Sequence, residues 1–160
     1  MNIKNELEKY IQMNLESFCE PILRKASYCD LECACQAPSI NNYIDSNKDD
    51  NLFQTLLFRY IDRTNLSDAE IYNKVNIDRR LFSKIRNSEY HPSRDTVILL
   101  GLALELNEDE IEDFLKSASY FLPKNNKRDL IIRFCFINKI YNVIDVNCFL
   151  SEYDCKLLNN

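Results

Sequence analysis

A single glycine, Gly101, stands among the 160 residues of this chain, and this scarcity limits the folds open to it. Hairpins and barrel corners need residues that tolerate positive φ, and glycine adopts such conformations without strain. The chain also contains only four prolines, so it has few helix breakers. The sequence therefore predicts an all-α protein.

The same scarcity excludes several enzyme classes. A Walker loop, a dinucleotide-binding GxGxxG turn and a GxSxG nucleophile elbow each need at least two neighbouring glycines. The only histidine is His91, which argues against His-based zinc catalysis and His/Asp relays. A Cys/His pair through His91 is the one enzymatic hypothesis left, and we predict a non-enzymatic protein that binds no cofactor.

No segment of the sequence is typical of membrane insertion or secretion. The N-terminus, MNIKNELEKYIQMN, is charged throughout, and the longest apolar run, Val97 to Leu104, is far shorter than the ~20 residues of a spanning helix. Seven cysteines, an odd number, favour free thiols over a disulfide framework. We therefore expect a cytoplasmic protein without a membrane partner.

An amphipathic helix is predicted at the N-terminus, ending before Pro21. Its apolar residues recur at spacings of three and four and are Ile3, Leu7, Tyr10, Ile11, Leu15 and Phe18. An irregular connector without sustained periodicity follows. Free thiols and a structural metal site are the two alternatives for its cysteines and the one just upstream, Cys19, Cys29, Cys33 and Cys35. Because CxxxCxC is not a usual zinc spacing and no histidine lies nearby, we predict no metal.

Five helices are predicted between Leu52 and about Ser119. The apolar residues repeat with helical periodicity, and each of the last four helices begins at a capping residue. We expect Asn76 to form the turn between the second and third helices in the left-handed conformation that glycine usually supplies. The predicted N-caps are Ser67, Asp78, Ser93 and Asn107, and Glu70 and Glu110 complete two capping boxes.

A C-terminal helical extension follows Pro123. The segment from Asp129 to Ile137 is almost wholly apolar, and a short helix is expected around Ile144 to Leu150. We expect the apolar segment to pack into the core, with an oligomer interface as the alternative. The predicted division is residues 1–50, 51–122 and 123–160.

Two short helices joined by a tight turn, with one helix before them and two after, are typical of a helix-turn-helix domain. The stretch LSDAEIYNKVNIDRRLFSKIRNSEYHPSRDTVILLGLALELNEDEIEDFLKSA resembles the XRE, or lambda-repressor-like, helix-turn-helix family, and the resemblance covers about Leu52 to Ser119. It implies a five-helix unit whose recognition helix runs from Arg79 to Arg86. It also implies DNA-contacting residues: Arg79, Arg80, Ser83 and Lys84 on the groove face, and Arg86 and Arg94 nearer the phosphates.

Three positions depart from the family pattern. Asn76 replaces the usual turn glycine, and Arg86 stands where relatives often have an acidic residue. Tyr72 replaces a small residue, and we expect its ring to crowd the crossing of the two short helices.

The charge distribution favours a nucleic-acid contact at one place only. Residues 78–94 contain five basic and two acidic residues, a net +3, so the rest of this −5 chain carries −8. An acidic block without a basic residue follows: Glu105, Glu108, Asp109, Glu110, Glu112 and Asp113.

Two functions follow from these patterns. The first is sequence-specific DNA binding by a transcriptional regulator, as a homodimer, because one recognition helix reads too few base pairs for useful specificity. The alternative is a non-catalytic protein-interaction module, an adaptor or inhibitor. It would contact its partner through the acidic helix Glu108–Asp113 or through the N-terminal helix.

Overall fold

The computed structural model describes residues 3–16, 52–87 and 90–158. Within these ranges the chain is all-α, as predicted, with eight helices and no strand. None of the described helices has both the length and the apolar character needed to cross a membrane. The helices are α1 (Ile3–Glu16), α2 (Leu52–Thr64), α3 (Asp68–Lys74), α4 (Arg79–Ile85), α5 (Arg94–Ala103), α6 (Glu108–Ser117), α7 (Lys127–Ile137) and α8 (Val143–Glu152).

The predicted caps set the starts of α3 to α6. The hydroxyl of Ser67 accepts a hydrogen bond from the Glu70 amide at 3.3 Å, and the Glu70 carboxylate accepts one from the Ser67 amide at 2.8 Å. The carboxylate of Asp78 caps α4, and Asn76 adopts a positive φ of 57°. Ser93 caps α5, and Asn107 forms the second capping box with Glu110. Local chemistry therefore places these helices where the sequence predicts them.

Helix α5 lies at the centre of the core, and every residue from Thr96 to Ala103 is buried. Gly101 faces α6 and α7 at close range. A Cβ atom at this position would overlap the terminal methyl of Ile111 and would lie 3.3 Å from Cζ of Phe136. The one glycine therefore serves helix packing, whereas Asn76 forms the turn.

The two ends of the described chain pack on each other and on this core. The α7 side chains Leu130, Ile131 and Ile132 are fully buried, so the apolar C-terminal segment belongs to the core as expected. Helix α1 covers α7 through its buried Leu7 and Ile11. Residues 17–50 lie outside the described residues, and the predictions for Phe18, the connector and its cysteines stay predictions.

Candidate nucleic-acid interface

Helix α4 has one buried side and one charged side. Phe82 and Ile85 are buried at 2% and 0% exposure, and they hold the helix against the core. The opposite side carries four exposed residues at i, i+4 spacing, which places them on one surface. We call it the basic face, and it consists of Arg79, Arg80, Ser83 and Lys84.

The cations of the basic face have no internal counter-ion among the described residues. No carboxylate in those ranges forms an ion pair with Arg79, Arg80 or Lys84. As far as the described residues show, an external anion therefore meets three exposed positive charges without having to break an ion pair. These are three of the four residues that the family resemblance places in the major groove.

Arg86, the next predicted DNA contact, has two partners inside the protein. Its guanidinium forms an ion pair with the carboxylate of Asp68 at the start of α3. It also lies over the ring of Phe58, with Cζ 5.0 Å from the ring centroid. Both charged groups stay exposed to solvent, at 43% for Arg86 and 40% for Asp68.

Arg94, the last predicted contact, takes part in one of two ion pairs that join α5 and α7, in which an arginine of each helix binds an aspartate of the other. Arg94 binds Asp129, which is only 1% exposed, and Arg128 binds Asp95 at 3.0 Å. We call these four residues the Arg-Asp clasp. The clasp gives Arg94 a structural partner, and its predicted contact with phosphate stays a prediction.

Asp129 is the most strongly desolvated member of the clasp. Burial raises the pKa of its carboxyl, and the positive charge of Arg94 opposes that rise. Within the described structure, the second carboxylate oxygen of Asp129 and Nε of Arg94 have no hydrogen-bond partner. The carboxylate therefore depends on one bond to Arg94 and on the nearby charge of Arg128.

An open cleft of about 560 Å³ lies between α3 and α4. Tyr72, expected to crowd this crossing, is half-buried, and its ring centroid lies 5.8 Å from that of Phe82. The cleft thus combines aromatic walls with charged side chains. Its lining residues are Asp68, Ala69, Tyr72, Arg79, Phe82, Ser83 and Arg86.

The acidic block at α6 is mostly neutralised by cations from other helices. Arg133 of α7, with a side chain 9% exposed, reaches Glu108 at 2.9 Å and Glu112 at 2.5 Å. Arg63 of α2 binds Glu110, and this hydrogen bond lowers the pKa of the Glu110 carboxyl. Further pairs join Lys74 to Glu105 and Lys116 to Asp113. Asp109 is the one member of the block without an ion pair in the described ranges.

Sequence reasoning missed most of these ion pairs because their members are far apart in the chain, although Lys116 and Asp113 are only three positions apart. Arg63 and Glu110 are 47 positions apart, and Arg94 and Asp129 are 35 apart. A local signal for such pairs does not exist, since helical i, i+4 spacing covers only neighbours on one helix.

The hypothesis of an enzymatic Cys/His pair concerns His91 and the described cysteines, which are Cys135, Cys148 and Cys155. The exposed ring of His91 packs edge-on against Tyr120, with centroids 5.4 Å apart. Cys135 is fully buried, and burial raises the pKa of its thiol to about 12, which keeps it protonated and a poor nucleophile. In the ranges described, no three His, Cys, Asp or Glu side chains are grouped to hold a metal ion.

No family model, curated protein or solved structure matches this chain. Membership of the XRE family therefore stays a prediction.

Proposed function

We propose that this protein binds double-stranded DNA and regulates transcription, with α4 as its recognition helix. The observation that carries the proposal is the basic face: three exposed cations without a counter-ion in the described residues, on a helix whose other side is anchored by Phe82 and Ile85. A helix anchored by buried side chains and charged on its outer side has the shape and charge that the major groove accepts.

The side chains of the basic face suit both kinds of DNA contact. Arginine makes bidentate hydrogen bonds to the O6 and N7 edge of guanine, which suits Arg79 and Arg80. Lysine neutralises phosphates as a point charge, which suits Lys84, and the hydroxyl of Ser83 accepts or donates a hydrogen bond. Sequence readout is thus assigned to the arginines and positioning to the lysine.

The pairing of the acidic block supports the same proposal. Five of its six carboxylates have cationic partners within the protein, which weakens the repulsion that an unpaired block would exert on DNA. It also weighs against the alternative, a protein-interaction module that uses Glu108–Asp113 or the N-terminal helix. The apolar residues Leu7 and Ile11 of that helix already pack against the core.

We further propose that the protein acts as a homodimer on two half-sites. Helix α4 has seven residues, and one such helix contacts only a few base pairs. Two copies related by a twofold axis would read two half-sites about one helical turn apart, which gives useful specificity in a genome.

The test is duplex binding by the full chain and two charge-matched variants. A labelled library of duplexes with a random centre of about 20 base pairs is enriched by binding at low salt, and the affinity of the enriched pool is measured. One variant carries Arg79→Ala, Arg80→Ala and Lys84→Ala. The matched control carries Lys9→Ala, Lys124→Ala and Lys127→Ala, which removes three exposed cations without ion pairs in the described ranges.

The proposal predicts that the basic-face variant loses at least about 100-fold in affinity, since each lost base or phosphate contact costs roughly 1 kcal/mol or more. The control variant should retain binding within a few-fold. Absence of any enriched duplex at low salt, or equal losses in the two variants, would overturn the proposal.

A further inference from the structure

The ion pair between Asp68 and Arg86 connects the start of α3 to the end of α4. Both residues line the cleft between these helices, together with Arg79 and Ser83 of the basic face. The carboxylate of Asp68 therefore lies beside the surface that would meet DNA. Among the described residues that line this cleft, it is the one acidic side chain.

The pair is built so that its partners can separate. Both side chains are about two-fifths exposed, so each can be hydrated when the other leaves. An exposed ion pair contributes little to stability, because water screens the attraction and ordering two side chains costs entropy. The contact with the Phe58 ring, at 5.0 Å, is independent of Asp68 and keeps the guanidinium of Arg86 beside the cleft.

The nearby carboxylate of Glu70 is already occupied. It accepts hydrogen bonds from the amide and the hydroxyl of Ser67 in the capping box. Asp68 is thus the carboxylate in the first turn of α3 that pairs with the α4 segment. Among the residues predicted for the groove and its edge, Arg79, Arg80 and Lys84 have no such competitor in the described ranges, whereas Arg86 does.

From this geometry we infer that Asp68 is an internal competitor of DNA phosphate for Arg86, an autoinhibitory contact that limits affinity for DNA. The inference rests on the proposed function. In the free protein Arg86 binds the Asp68 carboxylate, and on DNA it exchanges that carboxylate for a phosphate oxygen. The cost of the exchange is the separation of the ion pair, together with the repulsion between Asp68 and the DNA backbone.

The test compares Asp68→Asn with Asp154→Asn, which removes the same charge from an exposed residue outside the cleft. Asp154 has a φ of 53°, a conformation that asparagine tolerates well. Binding of the enriched duplex pool is measured over a range of salt concentrations. Thermal unfolding of both variants checks that each is folded.

Asp68→Asn is expected to bind about three- to tenfold more tightly than Asp154→Asn near 0.1 M salt, because no ion pair has to separate and one negative charge no longer repels the DNA backbone. The slope of log K against log salt should be nearly the same for the two variants, because Arg86 contacts phosphate in both complexes. In a background carrying Arg86→Met, the advantage of Asp68→Asn should shrink to the part that comes from reduced repulsion, because no guanidinium remains to be released.

Equal affinities for Asp68→Asn and Asp154→Asn would overturn this inference while leaving the proposed function intact, provided that both bind DNA. Persistence of the full gain in the Arg86→Met background would also overturn it, since the gain would then come from reduced repulsion alone. Failure of the unsubstituted protein to bind any duplex would overturn the proposed function and this inference together.

Discussion

The arginines of α4 and those of α5 and α7 occupy contrasting environments. Arg79 and Arg80 are exposed and have no ion pair within the described residues, whereas Arg94 binds the buried Asp129 and the buried side chain of Arg133 binds Glu108 and Glu112. The sequence motif treats Arg79, Arg80 and Arg94 alike, as residues of one DNA-binding segment. In the described structure, however, Arg94 has a carboxylate partner and Arg79 and Arg80 have none. The charges of Arg79 and Arg80 are therefore available to a ligand, whereas the charge of Arg94 stabilises the fold.

The two environments have different energetic consequences. Removing one member of a buried ion pair leaves an uncompensated charge in a poorly hydrated site, which is costly. An exposed cation without a partner contributes almost nothing to stability, yet its whole charge is free to attract a polyanion. Substitutions at the ion-paired arginines should therefore affect mainly stability, and substitutions at the basic face should affect mainly DNA binding.

The largest effect is expected at the Arg-Asp clasp. Arg94→Met leaves the carboxylate of Asp129 buried without its main partner, and we expect a loss of about 3 kcal/mol in the free energy of unfolding at neutral pH. Urea denaturation measures this loss. Arg94→Lys, which keeps the charge, is the matched control and should lose less.

The loss in Arg94→Met should depend on pH. Burial raises the pKa of Asp129 in the folded state, and removal of Arg94 raises it further. A carboxyl with a raised folded-state pKa binds more protons folded than unfolded, so its penalty is present at neutral pH and is relieved as the pH falls through the folded-state pKa. The deficit relative to the unsubstituted protein should thus narrow between about pH 7 and pH 4. A constant deficit would contradict this account of the clasp.

An intermediate effect is expected at Arg133. Arg133→Met preserves much of the packing of a side chain that is 9% exposed, but it removes the bonds to Glu108, Glu112 and the carbonyl of Leu122. We expect a loss of about 1–2 kcal/mol in the free energy of unfolding. Arg59→Met, at an exposed arginine without an ion pair in the described ranges, should change stability by less than about 0.5 kcal/mol. Equal losses of unfolding free energy in Arg133→Met and Arg59→Met would show that the ion pairs of Arg133 do not contribute to stability.

The smallest effect on stability is expected at the basic face. The variant with Arg79, Arg80 and Lys84 all changed to Ala should unfold within about 0.5 kcal/mol per residue of the unsubstituted protein, because these side chains are exposed and unpaired in the described structure. Thermal unfolding monitored by circular dichroism measures this. A loss as large as that of Arg94→Met would mean that the basic face supports the fold, and it would contradict the contrast between the two regions.

The fold was predictable to the extent that local chemistry determines it. The starts of α3 to α6 follow from capping residues that act within four positions, such as Ser67 and Asn107, and the left-handed turn follows from Asn76. The periodicity of apolar residues predicted α1 and α2 in the same way.

The partners of individual charges were not predictable. The guanidinium of Arg94 meets Asp129 from 35 positions away, and that of Arg86 meets Asp68 from 18 positions away. Such pairs depend on how the helices pack, which no local pattern encodes. Both arginines were predicted as phosphate contacts from their place in the motif, and only the packed structure shows that each has a carboxylate of its own.

The salt dependence of duplex binding tests the central claim, that the unpaired cations of the basic face contact DNA, most directly. Each phosphate contact adds about −0.9 to the slope of log K against log salt, so the unsubstituted protein should have a slope steeper by about 1 to 3 than the variant lacking Arg79, Arg80 and Lys84. The control lacking Lys9, Lys124 and Lys127 should keep the original slope. Identical slopes for the unsubstituted protein and the basic-face variant would contradict the claim.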